Sequence, residues 1–327
     1  MLRRTLGPAL AAGLALAGVP RAAPAQEAFP ARPIVLVVPG AAGGPTDAFA
    51  RLLAQSFSRT LGTTVVENTP GAAGQIGAYR VARAAPDGHL LLVGNAGLTT
   101  APAFFRNLRV DLEFDLAPVG LVNVAPFVLV TRPGLPARDA ASLAALLRAR
   151  GDAVSMGHGG IGGIAHLCGI VIAQRLGAGF NFIAYPGAAP ALNDVIAGHV
   201  DTMCVQSVDA VPQAAAGRVR PIAATGPARL PQLPEVPTLA EAGIQDAEIV
   251  MWHGLLAPRG TPPAVIGALN RALGTALADE TVLRRFADAG AEPPAAERRT
   301  PEAMGAALRA ELARWETVAR AAGIEKQ

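Results

Sequence analysis

Lysine is almost missing from this chain of 327 residues; Lys326 is the only one. That excludes the phosphate-binding Gly-Lys-Ser/Thr loop, because neither of the main glycine-rich loops contains a lysine. Cysteine is scarce too. Cys168 and Cys204 are too few for a disulfide-built scaffold. Free, buried thiols are the expected state, although an oxidising compartment would permit a bond if the fold brought them together. The five histidines, at positions 89, 158, 166, 199 and 253, form no H-x-x-x-H pair and no close cluster with cysteine, so no metal site is expected. No G-x-S-x-G nucleophile elbow occurs. Gly43-Gly44 lacks the first part of a dinucleotide fingerprint, although Glu67 stands near the place of its acidic residue. No catalytic residue and no cofactor are expected.

The N-terminus is richer. Arg3 and Arg4 precede an apolar run from Leu6 to Val19, and Ala23-Pro24-Ala25 follows as a small-residue site. This order reads as a secretory signal over residues 1–25. The run is shorter than the roughly 20 apolar residues of a membrane span. Export would remove Arg3, Arg4 and Arg21 and no acid, leaving 25 basic against 25 acidic residues. The basic excess therefore disappears on maturation and gives no argument for nucleic acid, which requires a clustered basic face. No later segment has 18 uninterrupted apolar residues, so a soluble periplasmic protein is expected.

The remaining chain alternates short apolar runs with helical patterns. Ile34–Val38 reads as a strand buried on both faces. A helix capped by Asp47 follows, with Phe49, Leu52, Leu53 and Phe57 on one stripe. Strands at 64–67 and 90–93 flank a helix over 74–85, giving β-α-β-α-β. The alternation restarts after residue 120, with strands at 127–131, 154–156, 180–184, 200–205 and 221–224. A strand-like crossing segment spans 249–256, and terminal helices span 263–277 and 301–322. Two successive α/β units predict two lobes, each a mainly parallel sheet flanked by helices. The expected division is a first lobe over 26–125, a second over 126–248, and a crossing strand with C-terminal helices over 249–327 returning to the first lobe.

Candidate binding residues sit where strands end and helices begin, the place at which open α/β sheets bind ligands. In the first lobe these are Gly43, Gly44 and Thr46, whose hydroxyl is expected to face the cleft, and the loop Asn95-Ala96-Gly97. In the second they are His158, Gly162 and Gly163, then Tyr185, Gly187 and Ala188, then Gln206 and Ser207. Glycines let backbone N–H groups approach a ligand, and helix starts favour an anion. One such loop would read as a structural connection; four, two from each lobe, read as a binding cleft.

These loops, in this order, resemble the Bug family, the periplasmic substrate-binding proteins of tripartite tricarboxylate transporters. The likeness runs from Phe29-Pro30-Ala31-Arg32-Pro33 and Val38–Asp47 through Val66-Glu67-Asn68 and Ala85-Pro86-Asp87-Gly88. It continues with Gly198-His199-Val200-Asp201, Leu233–Thr238 and Trp252 followed by Gly254–Pro258. The resemblance implies a Venus-flytrap fold of the type II kind that closes on a carboxylate held by backbone amides and short hydroxyl side chains. It implies a small organic acid as ligand, permease subunits or a sensor as partner, and a monomer is expected. Many relatives have an aromatic residue in place of Gly40, serines near Gly163 and Ile164, lysine at Pro186 and aspartate at Val205. Their loss makes the second wall less polar here, and leaves room for a larger or less charged ligand. A periplasmic ligand sensor and an α/β enzyme on the same scaffold are the alternatives.

Overall fold

The computed structural model describes residues 29–150 and 153–326; the signal segment expected over residues 1–25 lies outside them. In chain order the elements begin β1 (Ile34–Val38), α1 (Pro45–Thr60), β2 (Thr64–Asn68), α2 (Gln75–Ala82), β3 (Leu90–Asn95), α3 (Ala96–Phe104) and β4 (Leu116–Thr131). They continue with α4 (Ala140–Arg150), β5 (Ser155–His158), α5 (Ile164–Leu176), β6 (Asn181–Ala184), α6 (Ala188–Ala197), β7 (Thr202–Gln206), α7 (Ser207–Ala215) and β8 (Arg220–Ala224). β9 (Val250–Pro258), α8 (Pro263–Ala276), α9 (Glu280–Asp288) and α10 (Pro301–Ala321) complete the chain.

Two strands cross the molecule. β1 pairs in parallel with β2 and β3, and β9 is antiparallel to both β3 and β4. Within this first lobe only β9 opposes the common direction. β4 pairs with β9 as far as Pro126; from Phe127 onward it takes β7 on one edge and β8 on the other, antiparallel to both. β5 is parallel to β6 and β7, so in the second lobe β4 is the strand that opposes. Each lobe is therefore a parallel sheet with one reversed crossing strand, and β4 belongs to both sheets.

The sequence pattern shows only the last five residues of β4. Pro118, Gly120 and Pro126 interrupt its first part, and such residues normally argue against a central strand. Pro118 and Gly120 are accommodated by a register shift between them, with a second between Leu121 and Asn123, and Pro126 stands at the end of the pairing with β9. α3 is a second difference. Asn95–Thr99 reads as a loop because Gly97 and Pro102 weaken helix propensity. Asn95 nevertheless caps a helix there, its Oδ1 accepting the Gly97 N–H at 3.0 Å.

The C-terminal helices pack on first-lobe elements, α8 against α1 and β4 and α10 against α3 and β4. Trp315 of α10 is fully buried, and its indole N–H donates to Glu311 Oε2 at 2.8 Å. No helix among the described residues is long and apolar enough to cross a membrane.

The cysteines are not free. α5 lies over β7 and brings Cys168 and Cys204 to a Cα–Cα distance of 6.3 Å, where they form a disulfide. Sequence spacing alone does not reveal which helix covers which strand, so the expectation of free thiols is corrected by topology.

Candidate ligand-binding site

The loop after β1 is organised by Asp47. The N-cap of α1 is Gly44, with Pro45 at the first helical position, so Asp47 sits inside the first turn and is not the cap. Its carboxylate accepts the Gly43 N–H at 2.9 Å, Arg51 Nε at 2.9 Å and Asn68 Nδ2 at 3.1 Å. Burial alone would raise this carboxyl, but the bonds from Arg51, Gly43 and Asn68 and the Arg51 charge outweigh it and hold the group below its ordinary range. The Gly44 N–H donates to the Ala41 carbonyl. Both glycine amides expected to hold a ligand are thus occupied within the loop.

A polar row runs across three neighbouring strands. Asn95 at the end of β3, His253 on β9 and Asn123 on β4 are register partners. His253 is completely buried, and burial lowers its imidazole to about 3, so the ring is neutral. Its Nδ1 lies 2.7 Å from Asn123 Oδ1, which places the proton on Nδ1 and leaves Nε2 as an acceptor. Thr46 Oγ1, 3.1 Å away, donates to Nε2 and accepts from Asn95 Nδ2 at 3.1 Å. The hydroxyl of Thr46 is therefore directed inward, and Thr46 positions Asn95. Thr46→Ala is expected to cost about 1–3 kcal/mol of stability, because it strands the buried Nε2 acceptor. Thr46→Ser should restore it. Denaturant unfolding of the two variants checks this.

In the second lobe the segment Gly157-His158-Gly159-Gly160-Ile161-Gly162 joins β5 to α5. It has G-x-G-x-x-G spacing. The next strand, β6, ends in Ile183-Ala184 and offers no acid for a ribose, so only the close backbone approach to an anion remains of the dinucleotide reading. A side chain at Gly159 would overlap the backbone of Gly187 and Ala188, so those two loops are in contact. Gly160 and Gly162 donate their N–H groups to Nδ1 of His158 and of His166, and the two rings stack at 4.3 Å.

One cavity of about 510 Å³ joins the lobes. From the first lobe it is lined by Asn95, Gly97 and Leu98, the start of α3, and from the second by Gly162, Gly163 and Ile164, the start of α5. Its lining contains no charged residue. The Gly97 N–H is taken up by Asn95 Oδ1; the other first-turn N–H groups of a helix have no intrahelical acceptor, and both helix starts present the positive end of a dipole to the cavity.

Of the residues singled out from sequence, Asn95, Gly97, Gly162 and Gly163 line this cavity together, with buried Ala96 between the first two. Gly43, Gly44, Thr46, His158, Tyr185, Gly187, Ala188, Gln206 and Ser207 lie outside its lining. Tyr185 Oη donates to Asp194 at 2.6 Å, and Ser207 is fully buried with its hydroxyl on the Gly290 carbonyl at 2.8 Å. Gly187 is in extended backbone with open space around it. Leu98 and Ile161 of the wall belong to the glycine-bearing loops read from sequence, whereas Thr100, Phe105 and Met251 carry no sequence motif.

Burial holds His158 below its ordinary value, and burial with the neighbouring His158 lowers His166 to about 4. A folded value below the unfolded one means the unfolded chain binds more protons in between, so stability rises with pH across that range. The contribution is complete above about 6.5 and is lost as pH drops toward about 4 for His166. Urea unfolding should give lower stability at pH 4.5 than at pH 7.5, with a smaller loss in His166→Gln. An unchanged loss in the variant would contradict the assignment.

A family model described as tripartite tricarboxylate transporter family receptor matches residues 49–324. The periplasmic binding protein BugD is 40% identical, with a TM-score of 0.81 over 91% of this chain and 100% of that one. MatC from Rhodopseudomonas palustris, solved with bound malate, is 37% identical, with a TM-score of 0.80 over 89% and 100%. A further R. palustris protein, solved with adipate, is 32% identical, with a TM-score of 0.83 over 91% and 100%.

Proposed function

Since the chain belongs to the tripartite tricarboxylate transporter receptor family, we propose that it captures a small carboxylate between α3 and α5 and delivers it to a membrane permease. It is a periplasmic solute-binding protein and not an enzyme. A cavity lined by one helix start from each lobe, with no charged side chain in its wall, supports this reading. Malate and adipate in two relatives support a carboxylate ligand. On this assignment the lobes comprise residues 26–125 with 249–327, and 126–248; the change of partners along β4 at Pro126 supports that division. The N-terminal segment directs export and is removed near Gln26, and the chain works as a monomer beside the permease.

Thermal-shift screening of the mature protein against carboxylic acids tests the function. A ligand at a hundred times its dissociation constant should add about 2.7 kcal/mol of stability. The matching amide should bind more weakly, since it forfeits charge-assisted hydrogen bonds. Because no charged side chain holds the anion, moderate salt should change the affinity little. Equal affinity for acid and amide would contradict the assignment.

A further inference from the structure

A second cavity of about 460 Å³ adjoins the cleft, and Phe105 belongs to the wall of both. The turn before α2 is divided between them: Gly71 and Gly74 line the cleft, Ala72 and Gln75 the second cavity. The remaining wall is mainly apolar, from Ile76, Tyr79 and Leu108, with Arg109 at its edge. Ile76 and Tyr79, three residues apart on one face of α2, are exposed by 52% and 38%. A single exposed apolar side chain needs no explanation, but two beside one cavity form a patch. The Arg109 guanidinium lies 6.0 Å from the Tyr79 ring. Gln75 is buried, and its amide has no partner among the described residues.

We propose that this cavity is a tail subsite, so that the ligand is a carboxylate bearing an aromatic or branched apolar group that passes Phe105 and covers Ile76 and Tyr79. The proposal rests on the carboxylate assignment of the cleft. The two cavities lie on either side of Phe105 and of the turn before α2, so an acid held at the starts of α3 and α5 has apolar surroundings next to it for a tail that passes Phe105. Neither helix start is part of the second cavity, so head and tail are read by different residues.

Calorimetry on the mature protein tests this with malate, succinate and adipate as short acids and phenylsuccinate as the tailed counterpart of succinate. Wild type should bind phenylsuccinate at least about tenfold more tightly than succinate, the order expected for burying an added apolar group. Tyr79→Ser and Ile76→Asp should each remove most of that gain while leaving affinity for the short acids within about twofold, because the head contacts are untouched. Both positions are substantially exposed, and unaltered melting of the unliganded variants verifies that they fold. Equal affinity of wild type for succinate and phenylsuccinate would overturn the tail subsite alone, as would equal weakening of short and tailed acids by the variants. Failure of every acid to bind wild type would overturn the carboxylate assignment, and the subsite with it.

Discussion

Replacing Cys168 and Cys204 together by alanine is expected to lower the stability of the protein by about 2–4 kcal/mol, as reduction of the wild type should. The bridge closes a loop between residues 36 apart in sequence, and cross-linking removes conformations from the unfolded chain in proportion to the logarithm of that length. For a chain of this size the melting temperature should fall by roughly 3–7 °C. Both sulfurs are buried, so the effect should require unfolding or strong reductant before it appears. Affinity should change less than stability, because the bond joins α5 to β7 one turn beyond the helix start and neither cysteine lines the cavity. Melting of oxidised and reduced wild type beside the double variant checks this; coincident curves for all three would contradict it. An oxidised pair also suits a chain that works in the periplasm.

Gly162→Val is expected to abolish measurable binding, weakening affinity by at least about a hundredfold, or ~2.7 kcal/mol. Two independent constraints meet at this position. Its φ is +77°, where a β-branched residue is strained. A Cβ there would also lie 2.9 Å from Cγ of Phe104, a buried side chain on the first-lobe helix α3. Closure of the second-lobe wall onto α3 therefore requires the missing side chain. Gly162→Ala should weaken binding less, since it adds the Cβ contact without branching. Gly187→Val makes a useful contrast. That residue is extended, with nothing closer than Pro190 Cδ at 4.0 Å, so the variant should fold normally. Calorimetry with an acid found by thermal shift measures the affinities, and wild-type affinity in Gly162→Val would show that the lobes do not meet there.

Much of the parallel framework was legible because its strands are continuous apolar runs, as at Ile34–Val38, and its helices carry one apolar stripe, as at Phe49 and Phe57. The Venus-flytrap arrangement followed from two such units in succession and from the family resemblance. β4 was only partly legible, since its prolines and glycines are compatible with a crossing strand only through register shifts that depend on β9. The site divides in the same way. Gly162 and Gly163 announce a helix start by composition. Asn95 was visible as a residue beside a glycine, but its cap on α3 was not. The inward direction of the Thr46 hydroxyl depends on His253 and Asn123, which lie about 200 and 80 residues away in sequence and meet Thr46 only through strand register. Phe105 and Met251 became wall residues through tertiary packing, which no local pattern encodes.

The most direct test of a carboxylate shared by two helix starts is a nitrogen–proton correlation NMR titration of the mature protein, using the first acid that raises its melting temperature. The backbone amides of Gly97 and Leu98 on α3 and of Ile164 and Ala165 on α5 should shift together, with one dissociation constant. The corresponding amide compound should shift them far less at equal concentration. Movement of only one helix start, or shifts confined to residues outside both, would contradict the account.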